Sequence, residues 1–265
     1  MSVIKLSSPA TREFWEIPVL FEDEHLLALD KPSGLLLSPD PDNPGLPNLM
    51  SLLHAAIADK KSWSAERNLT YLSNAHRLDT DTSGVLLLAK NKPALIALAD
   101  LFGTEKPARQ YIALAHGRPV EDSFAINARL APHPGMPGQM RVDPHNGKQA
   151  QTRVEVMERF QRQTLLRCRL LTDRTHQIRV HLCNAGLRVV GDELYGGKPL
   201  LLSSLKDDYR LKHGREERPL LARVTLHAEQ LGLPHPITGE TVTITAEWPK
   251  DLKVAVKYLR LYAAA

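Results

Sequence analysis

Apolar residues in this chain come in short, dense runs that end in turn-forming residues. Val85–Leu88, Gln110–Ala115 and Leu165–Leu171 are the clearest. Such a run is too short for a long helix and too apolar to leave in water, so each is read as a buried strand. None approaches the roughly 18 consecutive apolar residues that a membrane-crossing helix needs. The chain is therefore expected to build its core from many short strands held by loops.

Helical spacing appears only between these runs. Leu49–Asp59 places Leu49, Leu52, Leu53 and Ala56 on one face. Asn91 and Pro93 read as the cap and first turn of a helix with Leu95, Ile96, Leu98, Ala99 and Phe102 inward and Gly103 as its stop. Thr175 reads as the cap of His176–Ala185, closed by Gly186, with Ile178 and Leu182 buried. Asp251–Leu261 reads as a last helix with Leu252, Val256 and Leu259 on one side. Leu130–His145, crowded with proline and glycine, is expected to be irregular. Asn146-Gly147 is expected to turn a hairpin between Met140–Val142 and Thr152–Met157, and Thr238-Gly239 a later one. Leu200–Arg218 is charged and reads as a surface excursion. Strands and helices alternate without a strict βαβ order. The predicted class is α+β, a mostly antiparallel mixed sheet with flanking helices and loops. Residues 1–18 are expected to be an N-terminal extension and 19–265 a single domain.

With 43% hydrophobic residues over 265 positions, the chain has enough apolar material for a core without cross-links. Lys and Arg number 34 against 30 Asp and Glu, a formal charge of +4 that permits an anionic partner without requiring one. Its two cysteines, Cys168 and Cys183, have no metal-ligand spacing, and the start of the chain shows no secretory pattern. A soluble cytoplasmic protein is expected, with a monomer as the default. Phosphate-binding loops, dinucleotide fingerprints, zinc-hydrolase helices and the G-x-S-x-G elbow are all missing. Aromatic residues are only 5%, which disfavours a stacking platform for single strands.

Two polar clusters carry candidate chemistry. His76-Arg77-Leu78-Asp79-Thr80-Asp81-Thr82-Ser83-Gly84 opens directly onto the buried run Val85–Leu88, and a loop held by a rigid strand is a common seat for catalytic groups. Taken alone, it also reads as a solvated turn with an Arg77–Asp79 ion pair. Thr172–His181 holds two arginines at a helix start and can bind an anion, or can simply be a helix with one wet side. Tyr111 at the head of a strand reads first as a half-buried strand residue.

Together these clusters resemble the RluA-type pseudouridine synthases. His76-Arg77-Leu78-Asp79 followed by Thr82-Ser83-Gly84 is similar to the family's HRLD-x-x-TSG signature. Asp30-Lys31-Pro32-Ser33-Gly34, Arg109–Ala113, Arg174–Leu182, Gly191-Asp192 with Tyr195-Gly196-Gly197, and Leu226-His227-Ala228 with His235-Pro236 fall in the family's order. The likeness runs over about residues 19 to 248. Asp30 stands where the family has Asn, and Asp173 where it has Gly. An added carboxylate beside Arg174 would oppose a phosphate contact there. No S4-like RNA-binding module is expected, since only about eighteen residues lie before the first strand of the matched region.

The resemblance implies an RNA uridine isomerase that needs no cofactor, metal or nucleotide and acts on ribosomal or transfer RNA. It implies Asp79 as nucleophile or general base, Arg179 as the cation supporting it, Tyr111 stacked on the uracil, and Arg77 on the flipped nucleotide or bracing its loop. Arg141, Lys148, Arg174 and Arg188 are candidate phosphate contacts. The alternatives are a non-catalytic RNA-binding protein on the same fold and a glycosidase using Asp79 with Asp81.

Overall fold

The computed structural model describes residues 2–104, 107–206, 208–211 and 214–265. In chain order its elements are β1 (Val3–Ser8), β2 (Glu13–Glu22), β3 (Leu26–Lys31), α1 (Leu49–Ala58), α2 (Ser62–Ala65), β4 (Ser73–Asn74), β5 (Ser83–Ala89) and α3 (Lys92–Gly103). There follow β6 (Ala108–His116), β7 (Ser123–Asn127), β8 (Leu130–Pro132), β9 (Met140–Val142), β10 (Gln151–Arg159), β11 (Gln163–Leu170), α4 (Gln177–Asn184), β12 (Leu226–Pro234), β13 (Thr241–Thr245) and α5 (Lys250–Tyr262). The class is α+β, as expected. No helix among the described residues is long and apolar enough to cross a membrane.

The chain divides into two compact units. The first comprises Met1–Ala108 and Ala228–Glu247. Its strands follow the order β1-β2-β3-β5, with β12 beyond β5, β13 on β12 and β4 also on β5. The pairs β1–β2, β2–β3, β3–β5 and β12–β13 are antiparallel. Every residue of β5 is buried, as its unbroken apolar run requires. Val85, Leu87 and Ala89 pack with Leu26 and Ala28 of β3, Leu231 and Leu233 of β12, and Ala94 and Leu98 of α3. Asn91 caps α3 by accepting from Ala94 N–H, with Pro93 in the first turn. Of the inward face expected for that helix, Leu98 is buried and Leu95 and Phe102 pack against the same core beside Ala94, whereas Ala99 is exposed and Ile96 is 64% exposed. Residues 3–8, read from sequence as part of an extension, form β1 and pair with β2 along its whole length.

The second unit comprises Arg109–His227 and Trp248–Ala265. Here the order is β6-β11-β10-β7, antiparallel throughout. Ile112, Leu114 and Leu165 on one face of this sheet pack against Leu252, Ala255, Val256 and Leu259 of α5. Leu130 to His145 is not wholly irregular. Leu130–Pro132 and Met140–Val142 pair as the ribbon β8–β9, and Pro134, Gly135, Pro137 and Gly138 fill the connection between them. Asn146-Gly147 does turn, but not between the strands expected. Gly147 N–H donates to Asp143 carbonyl at 3.0 Å, and the Asp143 carboxylate accepts from the His145 and Asn146 N–H groups. β9 pairs back onto β8, while β10 pairs with β7 and β11. A Cβ at Gly147 would lie 2.5 Å from the Asp143 carbonyl oxygen, so the turn needs glycine for space. Thr175 does not cap α4. His176 holds that place with φ 54° and no side-chain cap, and the Gln177 side chain instead accepts from Arg174 N–H and Thr172 Oγ1. The excursion Leu200–Arg218 holds one short 3-10 turn, Leu202–Ser204, and a buried Leu205, while its residues 207, 212 and 213 lie outside the described residues.

Candidate active site

In the first unit the loop from His76 to Thr82 leads from β4 into β5, and its conformation is fixed from three sides. His76 Nε2 accepts from Leu87 N–H at 2.9 Å, and its ring stacks on Phe102 with centroids 4.7 Å apart. The imidazole is thus a structural acceptor at the loop's entry. Thr82 N–H donates to the Asp79 carbonyl at 3.1 Å, closing a tight turn on Asp79 itself. The segment Lys31–Gly34 grips the far side. Lys31, 0% exposed, donates from Nζ to the carbonyls of Pro32 at 2.9 Å, Thr80 at 2.8 Å and Thr82 at 3.1 Å. Gly34 N–H also donates to Thr80 carbonyl at 2.9 Å, and Ser33 Oγ to Asp81 carbonyl at 2.7 Å. An ammonium out of water is costly unless its donors are used, and here three are.

The exit from the loop explains its glycine. Gly84 has φ 110°, and a Cβ there would sit 2.2 Å from the Ala228 carbonyl oxygen. Only glycine lets β5 run this close to β12. Asp79 is half-buried on this frame and Arg77 is exposed beside it. Asp30, next to Lys31, is pushed up to about 6 by burial first and by the charge of Glu247 second.

In the second unit Tyr111 is buried on β6 opposite Cys168 of β11. Burial pushes the Cys168 thiol up to about 12, so it stays protonated and inert. Arg179, in the first turn of α4, is buried and paired with buried Asp192. Its Nε donates to Oδ2 and its Nη2 to Oδ1, each at 2.7 Å. Its guanidinium also lies 5.1 Å above the Tyr195 ring. Tyr195 hydroxyl accepts from Met140 N–H at 2.9 Å and bonds His176 Nδ1 at 2.8 Å. The arginine is therefore clamped in plane by a carboxylate and from above by an aromatic face.

The four basic residues expected at phosphates also lie in this unit. Arg141 is exposed, donating to Asp143 at 2.9 Å, and Lys148 and Arg188 are exposed. Arg174 donates from Nε to Gln149 carbonyl at 3.1 Å. Asp173 accepts from buried Arg109 at 2.8 Å, so its charge is answered by Arg109. Among the described residues no group of three His, Cys, Asp or Glu is placed to hold a metal.

Sequence reasoning gave no role to Lys31, Asp192 or Tyr195. A lysine following Asp30 at the end of the apolar run Leu26–Leu29, in a strand that buries it, is the signal that could have found the first. The other two lie inside the Gly191–Gly197 motif but are joined to α4 only by folding.

Residues 25–184 match the family model described as RNA pseudouridylate synthase. The chain belongs to that family. Its members are isomerases, and the match contains Arg77, Asp79, Tyr111 and Arg179 but ends before Asp192 and Tyr195. Among curated relatives, ribosomal large subunit pseudouridine synthase D of Xanthomonas campestris is 35% identical, over 97% of this chain and 74% of that one. The protein of the same name from Zymomonas mobilis is 33% identical, over 97% and 78%. Among solved structures, human RNA pseudouridylate synthase domain containing 4 superposes with TM-score 0.68 at 22% identity, over 91% of this chain and 92% of that one. That likeness shows the pseudouridylate synthase fold. Nothing in these matches supports a catalytically silent RNA-binding protein.

Proposed function

We propose that this chain converts a uridine of large-subunit ribosomal RNA to pseudouridine, with Asp79 as its catalytic carboxylate. The N1–C1′ bond breaks, the uracil turns, and C5 bonds to C1′. The C5 proton leaves and N1 gains one, so the reaction has no redox change and transfers no phosphate. The observation that carries the reading is the grip of Lys31, Ser33 and Gly34 on the backbone at Thr80, Asp81 and Thr82. That grip fixes the Asp79 turn before substrate arrives, as a group acting on one atom requires. Asp79 serves as nucleophile or as base toward the sugar–base unit.

Tyr111 is assigned to stacking on the extruded uracil, and Arg179 to supporting the Asp79 carboxylate in its charged form. Arg77 contacts the flipped nucleotide or braces the loop. Arg141, Lys148, Arg174 and Arg188 meet phosphates. Ribosomal rather than transfer RNA is chosen because the relatives from Xanthomonas and Zymomonas are named for the large ribosomal subunit. The protein works in the cytoplasm as a monomer. Residues 19–265 act as one catalytic domain, since the family match runs across both units. The test is to incubate the purified protein with unmodified large-subunit and transfer RNAs and to map the carbodiimide adducts that persist on pseudouridine. New adducts in the large-subunit RNA are expected. Adducts confined to transfer RNA would overturn the target, and none in either would overturn the activity.

A further inference from the structure

Side chains alternate across a sheet, so the face of β6 that carries Tyr111 is opposite the one that carries Gln110. On the Gln110 side, beyond the part covered by α5, the strands β7, β10 and β11 form an open hollow of about 720 Å³. Arg153, Arg159, Arg167 and Arg169 line it, with three carboxylates. Each carboxylate has its own arginine. Asp122 bonds Arg159, Glu158 bonds Arg260 at 2.7 Å, and Glu155 lies 3.7 Å from Arg167. Arg153 and Arg169 are the surplus. Both are exposed, and they are direct cross-strand partners in the β10–β11 register. Like charges directly opposite each other destabilise a sheet. Two arginines held this way on a concave face make a site for a bridging anion, and guanidinium forks match phosphate oxygens two at a time.

We infer that this hollow docks the phosphodiester backbone of the substrate RNA, on the sheet face away from Tyr111. The inference rests on the proposed RNA substrate and extends it. Four strands span three inter-strand spacings, about 14 Å, so only an RNA long enough to pass the β7 edge reaches both faces. The hollow then selects for extended ribosomal RNA over an isolated stem-loop. This supplies docking contacts from within the domain itself.

The test is the double variant R153Q/R169Q, with R153K/R169K as its charge-conserving control. Binding to a long large-subunit RNA fragment and to a short stem-loop carrying the target uridine is measured across salt concentrations. For the long RNA, the slope of log Kd against log salt should fall by about 1.5, the loss of two phosphate contacts, and affinity at moderate salt by about tenfold. The lysine pair should restore most of the slope, and the stem-loop should bind the double variant like the parent. The melting temperature of R153Q/R169Q should hold or rise, because a repulsion is removed. An unchanged slope on the long RNA overturns the inference. So does a lost affinity for polyglutamate without a change on RNA, which would make the hollow an acidic-peptide site. The slope is read without turnover. A parent that binds the long RNA yet forms no pseudouridine would defeat the isomerase reading while leaving the docking result standing.

Discussion

Lys31 is a full charge with no solvent exposure, and its three carbonyl partners belong to the loop that carries Asp79 or to the turn beside it. Replacing it by Met keeps the stem but strands those carbonyls, at about 1–3 kcal/mol each where no water reaches. Lys31→Met should lower stability by about 3 kcal/mol in urea unfolding, and kcat should fall more than RNA affinity. Arg179 makes the complementary case. Its two parallel bonds to Asp192 need a planar fork, which lysine lacks. Arg179→Lys should cost about 3 kcal/mol, since one buried partner loses its match, and single-turnover rates should drop while Kd for RNA holds. Asp30 carries the pH dependence. Its folded value of about 6 lies above the ordinary 3.8, so between these limits the folded chain holds more protons than the unfolded chain. Stability contributed by this group is therefore present below pH 4 and is lost as pH rises to about 6. Asp30→Asn should remove that slope and gain about 1–2 kcal/mol at pH 7 after allowance for solvent screening. Melting temperatures of both forms from pH 4 to pH 7 check this.

Strand β5 and the turn before it form the element on which the site depends. Gly84→Ala adds a Cβ 2.2 Å from a carbonyl oxygen at φ 110°. The β5–β12 approach cannot open without parting buried strands, so a loss of about 3 kcal/mol or more is expected, read as insoluble protein or a lowered urea midpoint. Elements of this kind were legible before folding. An unbroken apolar run between turn signals means burial on both faces, and Val85–Leu88 and Gln110–Ala115 both lie in such strands. The Asn91 cap was equally legible, because its signal is local. Pairing was not. Asn146-Gly147 has the chemistry of a turn, yet Asp143 closes it and β9 finds its partner behind it, in β8. The cap of α4 differs from the one its sequence predicts for the same reason. Thr175 has the right side chain, but Gln177 has Thr172, Arg174, Gln151 and Thr152 within reach once β10 is in place.

For the molecule as a whole, sequence motifs carry the residues proposed for the chemistry but not the residues that hold them. Asp79 and Arg179 stand out as charged residues in ordered motifs. Lys31 and Asp192 are joined to them only through the tertiary fold, and no local pattern marks that. In the proposed mechanism turnover rests on one carboxylate, and RNA affinity on arginines and lysines spread over the surface. The two should therefore separate in one experiment. Asp79→Asn is nearly the same size and leaves the Lys31 and Ser33 bonds to the loop backbone in place. The decisive measurement is pseudouridine formed per mole of enzyme, read beside Kd for the same large-subunit RNA, in the parent and in Asp79→Asn. The account predicts product from the parent, none above background from the variant, and affinities within about threefold of each other. Product from Asp79→Asn at a rate near the parent's would contradict it.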